Sequence, residues 1–521
     1  MVKTTDASII ALDRFIQATR DSGYKGTYSA VSELVDNSLQ AGAKHVRINI
    51  FASGDDAKCP VRVAVLDDGC GMDRATLRQA LRFGGSSRFN DREGLGRYGM
   101  GLPNSSLSQA RRVDVFTWQD EGKPIYSYLD VDEVASGRMT KVPAPQPRAI
   151  PSTFSGVMDK SGTLVLWSRC DRLSNGRIST IARKLHATLG RIYRYFIWKG
   201  VEIVINGERV QASDPIFLQG QNGAGSASMF GEPICYEVEA PSSNGEAGKI
   251  GKVTVTFSEL PVHDWHALSN EEKRKRGIAN GAGVSIVRAN REVDFGWFFL
   301  GDKRRENYDD WWRCEIRFDP VLDEAFGITH TKQQIRPQEY LSEILSPDIE
   351  TMAKALNGRV RSAHLRLKEG ERSRDAEEIA AKKDHFLQPL PAASSQEDER
   401  IANEIAREHR DLKADLERTP GNALEYRVCT AKMRETLMFC CARKNGHLVL
   451  VINPDHPFYR EVYEPLTSEN RPDAKEVKRK LDLVLLAAAR AEAMNTRKPD
   501  RESVKKYRKN WSDILATFLS Q

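Results

Sequence analysis

From residue 1 to about 210 the chain alternates helix-period and strand-period hydrophobic patterns, and this alternation limits what it can fold into. Helices are expected near 7–19 and 28–41, and strands at 45–51, 61–67, 112–118, 124–130 and 163–169. Helices and strands interleaved this closely build α/β layers, here an α+β sandwich in which helices cover a sheet. The segment 83–106, FGGSSRFNDREGLGRYGMGLPNSS, is rich in glycine and serine and holds no steady period, so a long loop is expected. Loops of that length inside compact domains usually serve as functional lids.

Four regions follow from the pattern: 1–210, 211–340, 341–396 and 397–521. The second carries strands at 252–257, 283–288 and 313–318, with RANREVDFG reading as a hairpin. The third is a charged helix (359–384) and a linker, PLPAASSQ. The last is mixed and mainly helical: a polar helix at 397–418, an apolar strand HLVLVI at 447–452, and helices near 473–494 and 502–519. No repeat of 20–50 residues is visible.

Composition narrows the function classes. Of 521 residues 29% are charged and 40% hydrophobic, with a net charge of +6, the make-up of a soluble globular protein that tolerates acidic partners without demanding them. No run of about 18 apolar residues occurs, and MVKTTDASIIALDRF lacks a signal-peptide core, so a cytoplasmic protein without a membrane partner is expected. The eight cysteines never fall as C-x-x-C, which points to reduced, mostly buried thiols. His263 and His266 in HDWH lack the further ligands that zinc needs.

Three motifs carry chemistry. In SAVSELVDNSLQAGA, Glu33 and Asn37 share one helix face, where a carboxylate can activate water and an amide oxygen can hold Mg²⁺. Alone, E-x-x-x-N is common on surface helices. The apolar strand VRVAVLDDGCGM ends in Asp67-Asp68-Gly69-Cys70-Gly71-Met72, with glycines that let backbone approach a flat ring and a carboxylate that can accept from an exocyclic amine. GLGRYGMG supplies Gly94, Gly96, Gly99 and Gly101, which free backbone N–H groups for phosphate, and the following LPNSSLSQA can begin a helix. Neither a Walker A loop nor a dinucleotide fingerprint is present.

The order E-x-x-x-N, D-x-G-x-G, G-x-x-G-x-G and SGTLVLW, with Gly162 and Thr163, resembles the GHKL ATPase superfamily of DNA gyrase B, the ninety-kilodalton heat-shock chaperones, histidine kinases and MutL. The resemblance implies a Bergerat-type ATP-binding domain with ATP and Mg²⁺ as cofactors. It implies Glu33 as general base, Asn37 as Mg²⁺ ligand, Asp67 on the adenine amine, Gly71 beside the ring, and Gly69 and Met72 as further cofactor-binding residues. Gly99 and Gly101 would lie at the phosphates and Thr163 near adenine through water, with Gly96 and Met100 also among the cofactor-binding residues. In the T-K-Q context of FDPVLDEAFGITHTKQQIRP, Lys332 matches the catalytic lysine that reaches the terminal phosphate from a transducer domain, a ribosomal-protein-like βαβ unit expected at 211–340.

SGYKGTYSAVSELVDNSLQAGA, RFGGSSR, GRYGMGLPNSS and GVSIVRANREVDFG look most like the MORC branch and its prokaryotic MutL-related cousins. That branch implies a homodimer that closes on Mg-ATP and clamps or remodels DNA, with a prokaryotic restriction or anti-phage setting and nuclease or helicase partners as a further implication. No CW zinc finger, nicking-MutL metal motif, TOPRIM signature or phosphoacceptor helix is found, so neither nuclease, topoisomerase nor kinase activity is expected. The basic stretches KRKR at 273–276, KRR at 303–305 and RKPDRESVKKYRK near the end are candidate DNA contacts. The rival reading is an ATP-gated, chaperone-like protein-binding module.

Overall fold

The computed structural model describes residues 11–520 except 25, 55–58, 86–99, 121, 156–159, 220–226, 242–247, 302, 329–333, 392–398, 405–415, 417–423, 434, 435, 469–471 and 496. The chain divides into two compact units, Met1–Pro261 with Leu268–Leu356, and Val262–Ala267 with Asn357–Gln521.

The first unit opens with α1 (Leu12–Ser22), α2 (Thr27–Gln40), β1 (His45–Ala52), β2 (Val61–Asp67), α3 (Arg74–Ala80), α4 (Gly101–Gln109), β3 (Arg112–Trp118) and β4 (Ile125–Asp130). It continues through α5 (Val131–Ala135), β5 (Gln146–Pro147), α6 (Ser152–Ser155), β6 (Gly162–Ser168), α7 (Ile178–Ile192), α8 (Arg194–Trp198), β7 (Glu202–Ile205) and β8 (Glu208–Arg209). The strands form one sheet in the order β5-β4-β3-β6-β2-β1-β7-β8, in which β1 and β7 run parallel and the other pairs antiparallel. Each of the five expected strands forms within one residue of its expected ends.

Strand β2 shows why this sheet is buried on both faces. Val61, Val63 and Val65 join the core with Ala30, Val31, Leu34 and Val35 of α2 and Leu185 and Leu189 of α7. The intervening Ala64 and Leu66 pack on the opposite side with Phe116, Trp118, Phe154 and Leu164. A strand covered on both faces loses the polar half of its alternation, hence the near-continuous run VRVAVL. Helix α2 ends where Gly42 takes φ +79°, a left-handed turn that costs glycine no Cβ clash.

The loop expected over 83–106 is shorter than that. Helix α4 begins at Gly101, so 101–106 is helical, and residues 86–99 lie outside the described residues.

A second sheet follows, built from β9 (Ser228–Met229), β10 (Ile234–Glu239), β11 (Ile250–Glu259), β12 (Val284–Arg288), β13 (Arg291–Gly296) and β14 (Trp312–Phe318). Its order is β10-β11-β14-β12-β13, with β9 also on β11 and β12 parallel to β14. Helices α9 (Val262–Trp265) and α10 (Asn270–Lys275) lie between β11 and β12 in sequence. The expected hairpin is β12–β13, closed by Ala289 and Asn290 at φ +47° and +66°, the pair of positive values that a tight turn between twisted strands requires. Helix α11 (Glu339–Lys383) sets Leu341, Leu345, Ile349, Ala353 and Leu356 against this sheet's core of Val253, Val255, Ile286, Trp312 and Ile316.

Buried charge joins the two sheets. The fully buried Arg194 of α8 donates to Glu292 of β13 at 3.0 Å and to Ser285 of β12 at 2.9 Å, and pairs closely with Glu315 of β14.

The second unit centres on β15 (Glu425–Thr430), β16 (Phe439–Lys444) and β17 (His447–Ile452), in the order β15-β17-β16, packed with helices Pro472–Ala493 and Lys498–Leu519. Lys478, Asp482, Tyr463 and Ser373 form a closed polar knot inside it, with Lys478 Nζ donating to the other three at 2.7–3.0 Å. Most of the polar helix expected at 397–418 lies outside the described residues. Among the described residues no helix is long and apolar enough to cross a membrane.

Candidate functional site

A cavity of about 430 Å³ opens between α2 and the ends of β2 and β6, within the size range of small-molecule sites. Its lining includes Asn37, Ser38, Asp67, Cys70, Gly71, Met72, Gly101 and Thr163.

Strand register builds one wall. Odd positions of β2 face the helices, so Asp67 follows Val61, Val63 and Val65 onto the cavity side. Pairing of β2 with β6 places Asp67 opposite Thr163, and pairing of β6 with β3 places Thr163 opposite Thr117. Thr163 and Thr117 hydroxyls meet at 3.1 Å, and Thr117 Oγ1 accepts the Met72 N–H at 2.9 Å, which pins the chain after the D-D-G-C-G turn.

Asp67 is 8% exposed. Ser38 Oγ donates to its Oδ2 at 2.8 Å and Gly69 N–H to its Oδ1 at 2.9 Å. Burial raises its pKa, and these two hydrogen bonds oppose the rise. A carboxylate oxygen has room for a second donor, so a buried carboxylate at a cavity wall suits a ligand bearing an amine. Gly71, at φ +65°, lies so close to Trp118 O that any Cβ would overlap it; here the glycine answers both to backbone angle and to close approach. Gly69 sits against Ala41 in the same manner.

The other wall is α2 with the start of α4. Asn37 is half-buried on the cavity lining, while Glu33 is buried behind Gly101, where an added Cβ would overlap its Oε1. The Tyr24 hydroxyl is pushed well above its usual pKa by burial and then by the nearby Glu33 charge. Met100 occupies the N-cap of α4 without a side-chain cap, which leaves first-turn amides available to an anion.

Asn37, Asp67, Gly71, Met72, Gly101 and Thr163 line the cavity, while Glu33 lies behind Gly101, Gly69 donates to Asp67 and Met100 precedes Gly101. Gly96, Gly99 and Lys332 lie outside the described residues. The motifs did not single out Ser38, Thr117 and Tyr24. Ser38 had a sequence signal: it lies one residue past Asn37 on a helix whose stripe reaches the strand end.

One expectation needs correction. Lys303 of the KRR stretch is no surface charge, since its Nζ is buried in an ion pair with Asp309 at 2.7 Å. In the terminal stretch Arg508 is buried against Glu492, and Arg501 is engaged with Asn495 O at 2.7 Å. Lys506 and Lys509 stay exposed there, as do Arg274, Lys275 and Arg276 of KRKR. All eight cysteines are free thiols: Cys59, Cys170, Cys314 and Cys440 are buried, Cys429 and Cys441 half-buried, and Cys70 and Cys235 exposed.

Residues 24–163 match the family model for the histidine kinase-, DNA gyrase B-, and HSP90-like ATPase. Protein MICRORCHIDIA 5 of Arabidopsis thaliana is 31% identical over 117 residues, covering 22% of this chain and 16% of that protein. The DNA mismatch repair protein MutL of Halobacterium salinarum is 45% identical over 67 residues, 13% of this chain and 9% of its own length. ATPase MORC2 of Homo sapiens is 31% identical over 105 residues, 20% of this chain and 10% of that protein. The matches therefore span a sixth or less of these relatives. Within that span the motifs, the α+β sandwich and the family model agree: the chain carries a GHKL ATPase domain related to those of the MORC and MutL proteins.

Proposed function

We propose that the first unit binds Mg-ATP in the cavity between α2 and the β2 and β6 ends, and hydrolyses it. The observation that carries this reading is the buried Asp67 carboxylate at the cavity wall, with Asn37 and Glu33 on the facing helix. Asp67 selects adenine by accepting its amine, and Gly71 leaves room for the ring. Glu33 takes a proton from the attacking water. Asn37 holds the Mg²⁺ through its amide oxygen; that ion, when bound, neutralises phosphate charge. First-turn amides of α4, together with Met100, Gly101 and the lid glycines Gly96 and Gly99, receive the phosphates. Lys332 reaches the terminal phosphate from 211–340, the transducer region in this reading.

The chain further acts as a homodimer that closes on ATP and clamps DNA, in a restriction or anti-phage setting with nuclease or helicase partners. The exposed Arg274–Arg276 and the mismatch-repair name of the MutL relative support the DNA part. Turnover measured for wild type and Glu33→Gln, with and without DNA, and sizing in a non-hydrolysable ATP analogue test the whole reading. Wild-type turnover lost in Glu33→Gln, a dimer formed only with the analogue, and salt-sensitive DNA binding are expected. Equal turnover in both proteins would remove Glu33 from the mechanism, and turnover stimulated by an unfolded polypeptide but not by DNA would favour the chaperone-like rival.

A further inference from the structure

Asp36 has no place in the motif reading, yet it is completely buried between the two residues proposed to act on water and metal. Its Oδ1 accepts from Tyr193 Oη at 2.7 Å and from Arg291 Nε at 2.8 Å. The Tyr193 hydroxyl also lies 2.6 Å from Ser32 O, the carbonyl just before Glu33. Tyr193 belongs to the nucleotide-binding layer, at the C-terminal end of α7, whereas Arg291 opens β13 of the second sheet. Both are buried, and the Arg291 guanidinium lies 5.9 Å above the Tyr193 ring. The clasp therefore grips α2 on either side of Glu33, and one of its jaws comes from the other sheet.

Three features set this clasp apart from ordinary packing. Burying a carboxylate and a guanidinium carries a desolvation cost that well-packed apolar side chains would avoid, so the pair is poor economy as mere glue. Burial works against the Arg291 charge, but Asp36, Tyr193 and then Glu33 more than offset it, so the guanidinium stays protonated. The same cation thus offsets the mutual repulsion of two carboxylates one turn apart on α2. Finally, the clasp fixes rotation of α2 about its axis, and that rotation sets Asn37 on the cavity lining and Glu33, at i and i+4 with it, behind Gly101 at the cavity wall.

We propose that Arg291 is a positioning residue for hydrolysis: acting through Asp36 and Tyr193, it holds α2 in the register that presents Glu33 and Asn37, so turnover requires the second sheet to be docked on the nucleotide-binding layer. The inference rests on the ATP-hydrolysing reading above. It assigns to β13 an effect on the base that is separate from any contact between Lys332 and phosphate.

The test uses the full chain and the single variants Tyr193→Phe, Asp36→Asn, Arg291→Lys and Arg291→Met, with Glu33→Gln alongside. Turnover should fall about tenfold to a hundredfold in Tyr193→Phe, Asp36→Asn and Arg291→Met, the scale expected when a reacting group is displaced by about 1 Å. ADP affinity by titration calorimetry should stay within about threefold, because the contacts at Asp67 are untouched. Arg291→Lys, which keeps the charge but not the planar fork, should retain more turnover than Arg291→Met. The Asp36→Asn/Arg291→Met pair should be no slower than its slower member, as for two parts of one device. If a charge variant fails to fold, Tyr193→Phe, which removes only a hydroxyl, decides the matter. Wild-type turnover in folded Tyr193→Phe and Arg291→Met, or ADP affinity and melting temperature falling in step with turnover, would overturn the inference while leaving the ATPase reading intact. Turnover that Glu33→Gln does not reduce would instead bring down that reading, and this inference with it.

Discussion

At the scale of single residues, two neighbouring aspartates do unlike work. Asp68 ties the start of β1: its Oδ1 accepts from Lys44 N–H at 2.8 Å and His45 N–H at 2.9 Å, and its Oδ2 lies 2.7 Å from His45 Nδ1. Asp67, one position earlier, shares the phase of Val61, Val63 and Val65 and so reaches the cavity. The choice between them was legible in the strand's period of two, because a one-residue shift moves a side chain to the other face. Replacing the Asp67 carboxylate with an amide removes a charge-assisted bond to an adenine amine, worth about 1.5–3 kcal/mol, or roughly tenfold to a hundredfold in affinity. Asp67→Asn should lose that much ATP binding by titration calorimetry, Asp68→Asn should lose little, and wild type should bind GTP poorly. Equal wild-type affinity for ATP and GTP would count against an adenine-reading Asp67.

Among the elements, β1 to β4 and β6 were legible because buried strands leave a dense β-branched signature, whereas α4 was only half legible. GLPNSSLSQ has no apolar period, since Asn104, Ser105, Ser106, Ser108 and Gln109 are all buried as polar residues. Three of them are held by side-chain hydrogen bonds: Ser105 Oγ donates to Leu102 O, Ser108 Oγ donates to Ser105 O, and Gln109 Oε1 accepts from Thr27 Oγ1, 82 positions away. Hydrophobic periodicity cannot report a helix whose inner face is polar, so nothing in the sequence pattern separates the start of α4 from the loop before it. The start of α4 is also where close packing meets chemistry, for Gly101 lies against the Glu33 carboxylate. Gly101→Ala should push that carboxylate aside and cut turnover at least about tenfold, as for other small displacements of a reacting group. Melting temperature should move by a few degrees only, because the flexible end of a glutamate can yield. Unchanged steady-state turnover in a folded Gly101→Ala protein would show that the base has slack there.

For the molecule as a whole, the links that make one unit of two sheets were not legible, because they join residues far apart in sequence: Asp36 and Arg291 are separated by 255 positions. No local pattern marks such a pair; only the folded chain brings it together. Buried ion pairs from α2 and α8 to β13 and β14 tie the second sheet to the nucleotide-binding layer. Ile328 packs on the core of that second sheet and Ile335 is part of it, with Ile335 N–H donating to Asp294 Oδ2 at 2.9 Å, and Lys332 lies between these two in sequence, outside the described residues. In the proposed function Lys332 acts from 211–340, while the proposed adenine and Mg²⁺ contacts belong to the first sheet and its helices. Lys332→Ala should therefore separate binding from coupling. ADP affinity should hardly change, and hydrolysis should fall about a hundredfold or more, the scale of losing one preorganised charge-stabilising group. The ATP-dependent change in scattering or oligomeric state should weaken as well, because the charge that senses the terminal phosphate is gone. An alanine variant that hydrolyses ATP and closes like wild type would make the T-K-Q match a coincidence and would leave 211–340 without its proposed role as transducer.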